Sequence, residues 1–228
     1  MSRPVNFFAP KEWYHCYSRG IDKCIVFKDT TDYQRFVGLL YLANTSTVLH
    51  RSNLGHFNFH ELFTISLKEP LVSIGAYTLM PNHFHLLLYE KSAGGISMFM
   101  QKLGTAYTMY FNVKNKRSGG LFTRPFRARH ISDDRYFQHV VDYIHLNPSE
   151  LFGYDWTENQ ILSRRRLDKM SDLITKLEGY SFSSLSDFKK ILRPQRAILG
   201  DEVFNAYQHK TTRQMIENAF VYAETLPD

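Results

Sequence analysis

Apolar residues recur along this chain in two periods. Alternating or continuous apolar runs bounded by turn residues predict strands at 13–18, 71–79 and 83–89. The first is closed by Arg19-Gly20, and Pro81-Asn82 separates the other two, so the earlier strand ends or bulges there. Helical spacing takes over elsewhere. Asp29-Thr30-Thr31-Asp32 supplies N-cap residues for a helix over about 33–42, with Phe36, Leu39 and Leu40 on one side. Gly94-Gly95 opens a longer helix whose stripe runs through Ile96, Phe99, Met100, Leu103, Tyr107, Tyr110 and Phe111. Residues 121–131 fit a strand or hairpin. A further helix follows Ser132-Asp133-Asp134 over about 135–146, and it stops at Asn147-Pro148 because the residue before proline avoids the helical region.

Residues 44–70 have weak periodicity and read as an insertion loop or hairpin. His50, His56 and His60 fall there, at spacings that match no compact metal motif. From about residue 149 the pattern changes. A Trp156-containing loop and Arg164-Arg165-Arg166 precede helical segments near 167–177, 185–192 and 202–222, without strand-like alternation. The pattern therefore predicts an α+β core over residues 1–150 and a helical C-terminal extension over 151–228.

The 228 residues and 43% apolar content suit an ordinary globular chain. No run reaches the length of a membrane span, and the N-terminus lacks a signal-peptide core, so no membrane partner is expected. Two cysteines outside any CxxC pair point to a reduced, cytoplasmic setting. The net charge of +6 favours an anionic partner, and its placement sharpens that inference. Lys102, Lys114, Lys116, Arg117, Arg124, Arg127 and Arg129 occupy a stretch free of Asp and Glu. Tyr107, Tyr110, Phe111, Phe122 and Phe126 are interleaved with them. Cations beside rings suit single-stranded nucleic acid; a solvated basic face has the same composition.

His83 and His85 stand two apart on a predicted strand and project to the same side. Such a pair is half of a divalent-metal site, or a pair of core histidines bonded to backbone. Tyr143 and Asn147, four apart on a predicted helix, share one face. The amide oxygen is a hard ligand suited to Mg²⁺ or Mn²⁺, and the phenol oxygen is a potential nucleophile at phosphorus. The same two residues also fit a plain helix end, with Tyr143 buried and Asn147 as cap. His145 is a candidate proton acceptor; Tyr107, Tyr110 and Tyr136 are rival nucleophiles.

His83-Phe84-His85 resembles the histidine–hydrophobe–histidine motif of the HUH single-strand DNA nucleases. The surrounding residues, from Met80 to Leu87, are similar to the IS200-like single-tyrosine transposases. The segment from Tyr143 to Pro148 resembles that family's Tyr-x-x-x-Gln/Asn motif, in the variant of the branch associated with repetitive extragenic palindromes (REP). Tyr14-His15, Arg19-Gly20 and Gly120-Leu121-Phe122 are similar to the same branch. The resemblance spans about residues 10–150 and leaves 44–70 and the C-terminal extension unexplained. It implies a ferredoxin-like core with a central antiparallel sheet, Tyr143 as nucleophile, and His83, His85 and Asn147 around one Mg²⁺ or Mn²⁺. It further implies nicking and joining of single-stranded, hairpin-containing DNA through a 5′-phosphotyrosine, in a monomer or homodimer. Lys114, Lys116, Arg117, Arg124, Arg127 and Arg129 are the expected nucleic-acid contacts. The alternative is a catalytically silent protein that binds DNA or RNA hairpins.

Overall fold

The computed structural model describes residues 8–47, 58–154 and 166–224. His50, His56, Trp156, Arg164 and Arg165 lie outside the described residues. The core runs β1 (Trp13–Arg19), α1 (Thr30–Leu42), β2 (Val72–Met80), β3 (His83–Glu90), α2 (Gly95–Lys114), β4 (Arg127–His130) and α3 (Asp134–Leu146). The strands form one antiparallel sheet in the order β2-β3-β1-β4. A βαββαβ chain with that order is the ferredoxin-like architecture that the resemblance implies.

β2 and β3 form a tight hairpin: Met80 pairs with His83 across Pro81-Asn82. The irregularity in β2 lies instead between Ile74 and Ala76, at Gly75. A Cβ at Gly75 would meet the Trp13 ring at 2.7 Å. Pro81 has no N–H to give, and its carbonyl accepts from Val26 and Phe27.

The two sheet faces differ sharply. Tyr14, Cys16, Phe84, Leu86 and Leu88 face α1 and α2, where Phe36, Phe84, Tyr107 and Phe122 form an aromatic cluster. The other face carries Trp13, His15, Tyr17, His83, His85 and Leu87, and is covered by α3. Asp29 and Asp133 cap α1 and α3 through Asp32 N–H and Tyr136 N–H. α2 starts at a left-handed Gly94, and the buried Glu90 carboxylate accepts from Gly95 and Ile96 N–H. That cap comes from the end of β3, where no local cap signal points to it.

Only Arg127–His130 of the 121–131 segment is strand. α3 ends at Leu146, before Asn147-Pro148 as expected, although Asn147 itself keeps helical dihedrals. The chain tightens into a 3₁₀ turn over Asn147–Phe152, whose first turn tolerates a residue without N–H.

Beyond it come α4 (Arg166–Glu178), α5 (Leu185–Phe188), α6 (Asp201–Ala206) and α7 (Thr212–Glu224). The expected helix over 202–222 is thus broken at Tyr207, whose backbone turns extended. The Tyr207 hydroxyl there donates to Asp142 on α3. Residues 182–200 also complete the edge of β2. Leu79 N–H donates to Phe182, Ser184 N–H to Tyr77 and Gly200 N–H to Ile74. An open strand edge is thereby covered, and every residue of β2 is buried. Leu173, Leu185, Leu199, Val203 and Met215 join the same hydrophobic core as the sheet. Among the described residues no helix is long and apolar enough to cross a membrane.

Candidate active site

Strand pairing assembles the site before α3 completes it. Tyr17 lies opposite His85 and Arg19 opposite His83, while His15 and Tyr17 lie opposite Arg129 and Arg127. Directly opposed residues in an antiparallel pair project to one side. His15, Tyr17, Arg19, His83, His85, Arg127 and Arg129 therefore share the face under α3.

The His83 and His85 rings lie 5.1 Å apart, nearly perpendicular. Tyr143 stands edge-on to both His85, at 5.5 Å, and His15, at 5.8 Å. Tyr143 is 38% exposed, whereas His83, His85 and Asn147 are buried. A partly exposed tyrosine thus overlooks a buried set of nitrogen and oxygen donor atoms.

Asn147 caps α3 in helical conformation, its N–H bonded to the Tyr143 carbonyl, and so stays on the tyrosine's face. Its amide interacts with both His83 and Tyr143. Yet Asn147 Oδ1 is buried with no hydrogen-bond partner. A buried acceptor left unmade carries a penalty of about 1–3 kcal/mol. An oxygen in that state beside the His83 imidazole fits a cation ligand. Among the described residues, no three His, Cys, Asp or Glu side chains cluster for a metal. The set formed here is two imidazoles and an amide.

Burial, with the Arg19 charge, lowers His83 to about 4; the Asn147 contact opposes this. His85 is held well below the usual imidazole range by burial, then by His15, His83 and Arg19. His15 falls to about 4 through burial, Arg129 and His139. His139 also falls to about 4, through burial, Lys210 and Arg129. These rings are neutral at pH 7, the form that ligates metals. Burial, then Glu150, raises Tyr143, while Asn147 and Arg19 oppose the rise. Tyr143 is therefore a phenol at neutral pH.

His145 is not part of this arrangement. Two positions along the helix from Tyr143, it points away, with Nε2 2.8 Å from Ser184 Oγ and its ring against Phe188. Burial, then Arg193, lowers it to about 3. Five rings thus titrate well below the 6.5 of an unfolded chain. Between pH 6.5 and about 4 the unfolded chain binds protons that the native state excludes, so stability is full above 6.5 and lost as pH falls. Urea unfolding midpoints will be level from pH 7 to 8 and clearly lower at pH 4.5. Equal midpoints at pH 4.5 and 7.5 would contradict the neutral-histidine assignment.

The basic residues divide. Arg127 and Arg129 are exposed on β4 beside the site, and Arg129 lies 4.9 Å over the Tyr136 ring. Exposed Arg124 precedes a cis Pro125. Lys114 is committed to Asp29 at 2.8 Å and Asp32 at 2.6 Å. It lies with Lys116 and Arg117 at the end of α2, on the opposite side of the sheet, and Arg117 donates to the Gly120 carbonyl. Tyr107 donates to Val26 and Tyr110 to Asp32, both in that α1/α2 layer. Sequence reasoning missed Arg19 and His15 as site residues. Both were visible in the first strand, but only its register against β3 places them beside His83 and His85.

Residues 46–147 match a family model described as the IS200-like transposases. That span contains both histidines, Tyr143 and Asn147; β1, with His15 and Arg19, precedes it. Among solved structures, a REP-associated tyrosine transposase bound to a REP hairpin is similar, with a TM-score of 0.52 at 11% identity. The alignment covers 83% of this chain and 86% of that one. At this identity the likeness concerns the fold. No curated protein matches the chain.

Proposed function

We propose that this chain, whose residues 46–147 match the IS200-like transposase model, nicks and rejoins single-stranded DNA beside a hairpin, with Tyr143 as the nucleophile. One observation carries this reading. Tyr143, His83, His85 and the orphaned Asn147 Oδ1 converge on one sheet face within a single chain.

The donor set fits Mg²⁺ or Mn²⁺, with His83, His85 and Asn147 as the residues that hold it. Bound there, such a cation would supply positive charge that polarises the scissile phosphate. Arg19 offers a second cation at the same edge. It lies opposite His83 in the β1–β3 register, and its charge acts on His83, His85 and Tyr143 alike, which supports a role at the phosphate. The Tyr143 oxygen attacks phosphorus, a Tyr–O–P bond forms, and the bond from phosphorus to the 3′ oxygen breaks. The phenol proton ends on the released 3′-hydroxyl. The 5′-phosphotyrosine keeps the energy of a phosphodiester, so a second 3′-hydroxyl reverses the step and joins strands. Arg127 and Arg129 form the track for the strand on this face. The similarity to a hairpin-bound REP-associated transposase supports a hairpin as the substrate, in the REP-associated branch.

The test is incubation with hairpin-flanked single-stranded DNA and Mn²⁺. The reading predicts a protein–DNA adduct that survives denaturation. Salt-sensitive hairpin binding with no adduct in any divalent metal would favour a silent binder instead. For the track, Arg127→Ala will flatten the dependence of log K on log salt by about 0.7, the share of one single-strand phosphate contact. An unchanged slope would remove Arg127 from the interface.

A further inference from the structure

Each histidine of the pair already uses its Nδ1. His83 Nδ1 lies 2.6 Å from Asn82 Oδ1, and His85 Nδ1 lies 2.9 Å from His15 Nε2. An amide oxygen has no proton to give, so His83 Nδ1 is the donor in the first contact. The amide's other end agrees, because Asn82 Nδ2 donates to the Lys23 carbonyl. A neutral imidazole carries one proton, which leaves His83 Nε2 with its lone pair.

The second contact admits two arrangements. If His15 Nε2 donates, the His85 proton sits on Nε2 and that atom cannot ligate a cation. If His85 Nδ1 donates, His85 Nε2 is open and His15 carries its own proton on Nδ1. Only the second arrangement gives His85 the form that His83 already has. His15 and His85 are both buried, with ring planes 27° apart, so neither ring is free to reorient.

We propose that Asn82 and His15 are positioning residues that hold His83 and His85 as Nδ1–H tautomers, with both Nε2 lone pairs presented to one cation. This rests on the metal reading given above. One residue comes from the hairpin turn adjacent to its histidine. The other comes from the neighbouring strand, one pair diagonal to His85 in the β1–β3 register. Acceptors behind ligand histidines fix ring tautomer and orientation, and their loss typically costs ten- to a hundred-fold in metal affinity.

The experiment is long-range ¹H–¹⁵N NMR of histidine-labelled, metal-free protein, paired with Mn²⁺ titration followed by electron paramagnetic resonance. The wild-type spectrum should show both rings protonated on Nδ1. His15→Phe should release His85, and Asn82→Leu should release His83, into tautomer mixtures. Each should weaken Mn²⁺ binding about ten- to a hundred-fold. His15→Gln and Asn82→Asp, which restore an acceptor, should hold the Nδ1–H form and bind within about three-fold of wild type. An Nε2–H signal from either ring in the wild type overturns the proposal without need of any variant. So does an unchanged His85 signal in folded His15→Phe. A wild-type chain with both rings Nδ1-protonated that binds no Mn²⁺ supports the tautomer assignment and overturns the metal reading beneath it.

Discussion

Tyr143→Phe will abolish covalent capture of single-stranded DNA, by about 10³-fold or more, while leaving hairpin affinity within about two-fold. The substitution removes one oxygen and keeps the ring that packs edge-on to His85 and His15. The hydroxyl belongs to a residue 38% exposed, and its contact within the fold is with the Asn147 amide of the site itself. A change in adduct yield is therefore a change in chemistry rather than in folding. The check is denaturing electrophoresis of labelled DNA beside circular dichroism and a binding isotherm. Undiminished adduct would place the nucleophile elsewhere, and Tyr17, stacked 5.5 Å from His85, would be the first to examine.

Asp142→Ala will cost about 3–5 kcal/mol of stability, the usual loss when one partner of a buried ion pair is removed. Asp142 lies on α3, one residue before Tyr143 and facing away from the site. Its carboxylate accepts from Lys210 Nζ at 2.7 Å and from the Tyr207 hydroxyl. Asp142 and Lys210 are only 2% and 14% exposed at their side chains. Burial raises the Asp142 carboxyl, and the Lys210 and Tyr207 bonds oppose that rise. Alanine leaves an ammonium and a hydroxyl buried without their acceptor. Asp142→Leu combined with Lys210→Met removes both charges and should recover most of the loss. Urea denaturation decides between the outcomes. A loss below about 1 kcal/mol for Asp142→Ala would show that the C-terminal segment does not brace the helix bearing Tyr143.

This pair also shows where sequence reading stops. Spacing of two on a strand put His83 and His85 on one side, and spacing of four on a helix did the same for Tyr143 and Asn147. Such local periods are fixed by backbone geometry and can be read from a single chain. The caps at Asp29 and Asp133 were equally local. What the sequence could not show are pairings between distant segments. His15 meets His85 across 70 positions, and Lys210 meets Asp142 across 68. The ion pairs of Lys114, expected as a nucleic-acid contact, with Asp29 and Asp32 at the start of another helix were equally hidden. Residues 182–200 read as helix or loop, since completing the edge of β2 uses backbone groups that every residue carries. Asn147-Pro148 does mark the end of α3; that Asn147 stays helical and leads into a 3₁₀ turn was not legible in the chain.

The account stands on Tyr143 acting at a phosphate held beside His83, His85 and Asn147. Its most direct test is mass spectrometry of the protein–DNA adduct formed with Mn²⁺, after nuclease and protease digestion. The account predicts a 5′-phosphonucleotide mass on Tyr143, absent when the metal is chelated. The same mass on Tyr17 or Tyr136, or an adduct indifferent to chelation, would contradict it.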